Sequence, residues 1–149
     1  MDSSSTTLWE NTMTHNIRFL RRVMAIDAIA TGAMALGFVA MAGPLSEIFG
    51  LPSLALTCIG LVLLPFAAWV GWLAKQRHPP LKLVRILVAA NVIWAADSLL
   101  LAFGNWMPLT AIGTEFVAFQ AVITVVAATL EWTASQRSLT SHESRMTSH

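Results

Sequence analysis

Apolar residues fall into four long runs, Val23 to Ala42, Leu54 to Leu73, Leu83 to Phe103 and Ala111 to Leu130, parted by short stretches that hold Gly, Pro and charge. Each run approaches or reaches the roughly 20 residues a helix needs to cross the hydrocarbon core of a bilayer. Backbone in lipid must pair internally, so runs of this length predict helices. The expected fold is an all-α membrane protein, a four-helix transmembrane bundle over residues 17–133. Residues 1–16 and 134–149 are too polar to join it and are expected to be flexible tails.

Charge orients the bundle. Arg18, Arg21 and Arg22 precede the first run, Lys75, Arg77, Lys82 and Arg85 border the second connection, and Arg137 and Arg145 follow the fourth run. The first and third connections, Gly43 to Ser53 and Gly104 to Thr110, contain no Lys or Arg. By the positive-inside rule both termini and the middle loop are expected in the cytoplasm, in a bacterial-type inner membrane. Composition agrees: 56% of residues are hydrophobic and 11% charged, too few charges to cover a soluble surface. The basic residues are spread along membrane edges, so no nucleic-acid partner is expected. Their natural partner is the bilayer, including its anionic headgroups.

Ala40-Met41-Ala42 follows basic residues and an apolar stretch, the outline of a secretory signal. The run is longer than the roughly 7–15 residues of a signal core and carries Asp27, so the first span is expected to be retained. Sliding the chain by 64 residues superposes Arg21 on Arg85, Asp27 on Asn91, and Pro44-Leu45-Ser46 on Pro108-Leu109-Thr110. Each half then reads as a basic edge, a helix with an early polar residue, a turn and a second helix. That pattern suggests two parallel-repeat helical hairpins. Pro44 and Pro108 are expected to stop their helices. Leu45, Ile48, Phe49 and Leu51 make the first connection too apolar to extend into water.

Small residues four apart, Ala28 and Gly32, Ala33 and Gly37, Ala67 and Gly71, predict close helix contacts within the chain or between copies. Trp69, Trp72, Trp132 and Trp106 fall near run ends and are expected as interfacial anchors. Trp94 lies mid-run, as a core filler or the wall of a ligand cavity.

The candidate chemistry lies in polar residues within the runs: Asp27, Asn91, Asp97, Glu115 and Gln120. A carboxylate at mid-membrane costs roughly 2.5–3.5 kcal/mol on insertion scales, so each needs a partner or a proton. Asp97 precedes Gly104 by seven residues and Glu115 follows Pro108 by seven. Antiparallel neighbours would bring the two to one height, where they would share a proton. Asp27 has Asn91 at its repeat-equivalent depth and Arg18, Arg21 or Arg22 within snorkelling reach. Asp27, Ala30, Thr31 and Met34 form one face of the first helix. Asn91, Trp94, Ala95 and Ser98 form a stripe on the third, with Asp97 about 120° away.

No metal or cofactor is expected. His15, His78, His142 and His149 lie outside the runs and Cys58 is the only cysteine, which leaves no haem ligand pair, zinc cluster or disulfide. No nucleophile has a base beside it, so an enzyme is not expected. The favoured reading is a small accessory, assembly or oligomer-forming component of a membrane complex, its polar residues acting as interhelical glue. The alternative is a small proton- or cation-coupled transporter. Four short spans with a carboxylate in the first are similar in outline to small multidrug transporters, although those are shorter and lack so one-sided a charge pattern.

Overall fold

The computed structural model describes the backbone of residues 3–146 and the side chains of residues 17–136. Five helices follow one another: α1 (Ser3–Ala40), α2 (Ala42–Phe49), α3 (Ser53–Lys75), α4 (Leu81–Phe103) and α5 (Ala111–Met146). Four contain segments long and apolar enough to cross a membrane, Ile17–Ala40, Ser53–Lys75, Leu81–Phe103 and Ala111–Gln136. The chain is an all-helical, multi-pass bundle of the membrane type. Most of its large exposed side chains are apolar, among them Ile26, Leu54, Val62, Ile93 and Phe119, as lipid rather than water requires.

The spans begin or end several residues beyond the apolar runs at the basic end. Hydropathy marks where a helix leaves lipid, and the helix itself continues: α1 starts at Ser3 and α5 reaches Met146. The backbone of the segments read as tails is therefore helical. Their extreme residues, 1–2 and 147–149, lie outside the described residues.

Helix α1 packs along α3, α4 along α5, and α1 against α5 joins the two hairpins. The small-residue pairs explain the first hairpin. A Cβ added at Gly71 would lie 3.7 Å from the Ala28 Cβ, and one at Gly32 would lie 3.7 Å from the Ala67 Cβ. Both predicted motifs thus interlock with each other, antiparallel and in one register. At Gly60 the helices come closer still, because a Cβ there would stand 2.8 Å from the Ala35 carbonyl oxygen. The third pair differs: Ala33 is exposed and a Cβ at Gly37 would meet nothing within 4 Å.

The connections break the sequence repeat. Gly104 to Thr110 contains no helix, whereas the first connection folds into α2. Pro44 is the third residue of α2, where a missing N–H removes no helical bond, so it opens a helix as well as following one. Gly50 ends α2 in the left-handed conformation, φ 73°, its N–H bonded to the Ser46 carbonyl. The apolar side of this connection turns back onto the bundle. Phe49 and Leu51 are buried, Phe49 stacks on Phe116 at 4.6 Å, and Phe116 meets Phe38 edge-on at 6.3 Å. Thr110 ties the two connections together, its N–H donating to the Phe49 carbonyl at 3.1 Å and its hydroxyl to that of Ile48.

Apolar clusters therefore close both ends. At the basic end Leu20, Met24, Val70, Leu73, Val84, Leu87 and Ala134 form one. At the other, Phe38, Phe49, Leu51 and Leu56 form the second. Polar side chains occupy the levels between.

Candidate functional site

The α4 stripe faces inward as its 100° spacing predicts: Asn91, Ala95 and Ser98 are buried and Trp94 half-buried. Two polar contacts are built from it. Toward the basic end, the Asn91 amide donates to the Glu131 carboxyl at 3.3 Å. Asp27 on α1 neighbours both the Asn91 amide and the Glu131 carboxyl. One amide on α4 thus sits between carboxyls from α1 and α5, linking the two hairpins at mid-bundle.

Glu131 is the site residue that hydropathy hid. The apolar run ends at Leu130, so Glu131 reads as the first residue outside the membrane, yet it is 0% exposed. A signal was present. Val117, Ala121, Ala128, Glu131 and Ser135 are buried and follow one another along α5 at spacings of four, seven, three and four, one continuous helical face.

The site is short of donors. The Asp27 Oδ2 and Glu131 Oε1 atoms are both inaccessible and have no hydrogen-bond partner. The Ser135 hydroxyl, one turn beyond Glu131, donates to the Trp132 carbonyl of its own helix at 2.7 Å. The expected arginine support for Asp27 does not form. Arg21 instead turns its Nε to the Ala74 carbonyl at 2.8 Å and its Nη2 to that of Lys75 at 3.5 Å, satisfying the open end of α3. Thr31 and Met34 share the half-buried face of Asp27, whereas Ala30 is exposed. The inward face of α1 runs instead through Leu20, Met24, Ala35 and Phe38.

The second contact lies toward the charge-poor end. Trp94 Nε1 donates to Gln120 Oε1 at 3.4 Å, and Gln120 Nε2 donates to the Ser98 hydroxyl at 2.9 Å. Gln120 thus bridges two turns of α4, one oxygen and one nitrogen each used. Beside this bridge a cavity of about 150 Å³ is lined by Trp94, Ser98, Gln120, Phe38 and Phe116, with Asp97 as its one ionisable side chain. Trp94 is both cavity wall and hydrogen-bond donor.

Asp97 and Glu115 do not form the expected pair. Both are exposed, and among the described residues no hydrogen bond joins them. Asp97 borders the cavity and Glu115 does not. Equal distance from the turn did not bring them together: Trp94 and Ser98 both bond Gln120, so the level of Asp97 on α4 is met by Gln120 on α5, five residues beyond Glu115. Asp97 points about 120° away from the Asn91 stripe, and Gln120 takes the inward place opposite.

Of the four expected anchors, Trp72, Trp106 and Trp132 are exposed. Trp69 is half-buried against the core, its ring 5.8 Å from that of Phe66. Compared with known proteins, the chain matches no family model, no curated protein and no solved structure.

Proposed function

We propose that this chain is a small, non-catalytic inner-membrane protein whose Asp27–Asn91–Glu131 centre binds one proton or one monovalent cation, in the manner of coupled transport. One observation carries the reading: two carboxyls flank a single amide in a bilayer-spanning core, each with a buried, unpartnered oxygen. Two unpaired charges so placed would cost several kcal/mol each, whereas one shared proton or a bound cation removes most of that cost.

A second observation favours the accessory or assembly reading. The cavity beside Gln120 is not lined by Asp27, Asn91 or Glu131, and Glu131 is fully buried, as suits a lock between hairpins. In that case the protein serves as a component of a larger membrane complex or of a homo-oligomer.

Infrared spectroscopy in lipid nanodiscs separates the two. A protonated-carboxyl band that disappears in Asp27→Asn or Glu131→Gln, and shifts promptly on transfer to D₂O, is expected for a coupling site. A band that shifts only when the protein unfolds would identify a lock. Two carboxyls ionised at neutral pH regardless of sodium or potassium would overturn both.

The orientation belongs to the same proposal: both termini and the Gln76–Pro80 loop lie in the cytoplasm, because every Lys and Arg flanks that side. Reporter fusions after Trp132 and within Lys75–Pro80 are expected to be active only for a cytoplasmic reporter. Periplasmic activity at either position would reverse the assignment.

A further inference from the structure

A cleft of about 570 Å³ lies between α1 and α3 at the basic end, lined by Arg18, Arg21, Arg22 and Lys75 at its rim and by Ala25, Ala28, Ile29 and Gly71 below. It exists because the hairpin packs through small residues. Where Ala28 meets Gly71 there is no side chain large enough to fill the outer angle between the helices. Arg18, Arg22, Ala25 and Ile29 follow at spacings of four, three and four along α1, so one helical face is cationic at its end and apolar toward the bilayer centre.

We propose that this cleft is a binding site for one anionic phospholipid, whose phosphate sits among Arg18, Arg22 and Lys75 and whose acyl chain lies over Ala25, Ala28, Ile29 and Gly71. The depth fits a phosphate, since the rim is level with Lys75, the last residue of α3 and of its span. The charge fits as well. Among the described residues no acidic side chain lines the cleft, and Arg18, Arg22 and Lys75 are exposed with no ion pair. Arg21 has a different task. By donating to the Ala74 and Lys75 carbonyls it covers the negative end of the α3 dipole, which would otherwise repel a phosphate. Guanidinium groups pair two oxygens of a phosphate at once, and the apolar floor distinguishes a lipid from a free anion. The site does not depend on the proton-binding proposal, nor on which leaflet holds the basic end.

Native mass spectrometry of the protein released from nanodiscs tests this. From an equal mixture of phosphatidylglycerol and phosphatidylcholine, one phosphatidylglycerol is expected to be retained with a preference of about tenfold or more. Arg22→Gln with Lys75→Gln should abolish the preference. Arg77→Gln with Lys82→Gln removes the same charge outside the cleft and should leave it intact. Ala25→Leu keeps every charge but fills the floor, and should reduce retention. Millimolar inorganic phosphate should not displace the lipid. Equal retention of both lipids, equal loss in the two charge-matched variants, or displacement by phosphate alone would overturn the proposal.

Discussion

Gly113→Ala is expected to destabilise the bundle by about 2–3 kcal/mol, although it adds one methyl group near a helix end. Gly113 is buried in the first turn of α5, and a Cβ there would run into the backbone of Phe49, its carbonyl carbon and oxygen included. Backbone cannot yield as a flexible side chain does. The same Phe49 carbonyl accepts the Thr110 N–H, and the Gly113 N–H is in turn bonded to the Thr110 hydroxyl at 2.9 Å. A shift would therefore loosen α2, the turn before α5 and the Phe49–Phe116 stack together. Gly60→Ala should follow with about 1–3 kcal/mol, its Cβ facing the Ala35 carbonyl and the Val39 methyl, both at 2.8 Å. Gly37→Ala supplies the contrast. With open space around it and a helical backbone, it should be neutral or stabilising by up to about 1 kcal/mol. Steric-trapping unfolding in bicelles measures the series. If all three substitutions behave alike, the contacts at Gly60 and Gly113 are not those described.

Replacing Asn91 is expected to have the next largest effect. Among the described residues, Asn91→Leu removes the one hydrogen-bond donor to the Glu131 carboxyl and the amide neighbour of Asp27. It should cost roughly 1–3 kcal/mol, the usual penalty for leaving a buried polar group unsatisfied. Asp27→Asn and Glu131→Gln should be milder, because an amide can donate to the remaining carboxyl. Asp27→Leu, leaving Glu131 and Asn91 as they are, should be worse than Asp27→Asn. The triple variant with leucine at positions 27, 91 and 131 should regain most of the stability lost by Asn91→Leu, since an apolar layer is often as stable as a buried polar one. It should also have no exchangeable carboxyl proton at this level. An Asn91→Leu protein as stable as the wild type would show that the three side chains do not interact.

The hairpin contacts were legible in the chain because small residues at four-residue spacing leave few other ways for two helices to approach. Ala28, Gly32, Ala67 and Gly71 were named by spacing alone, and their mutual fit followed once α1 and α3 ran antiparallel. The Asn91 stripe was legible for a similar reason, since one helix carries its own angular frame. Asp97 and Glu115 mark where that reasoning stops. Their pairing needed the register and rotation of α4 relative to α5, which no spacing within either helix contains.

By itself the sequence determined the number of spans and their charge asymmetry, because bilayer thickness and the cost of burying charge act on each segment separately. It also determined which face of α4 is polar. Only the tertiary structure decided that Glu131 is buried and that Gln120, rather than Glu115, meets α4. It alone folded the first connection into α2 and placed one amide between carboxyls from two hairpins. Burial of Glu131 depends on α1 and α4 closing around α5, and azimuth depends on packing between helices. Neither is a property of any one segment: the helical face through Val117, Ala121, Ala128 and Glu131 marks the direction in which Glu131 points, not what covers it.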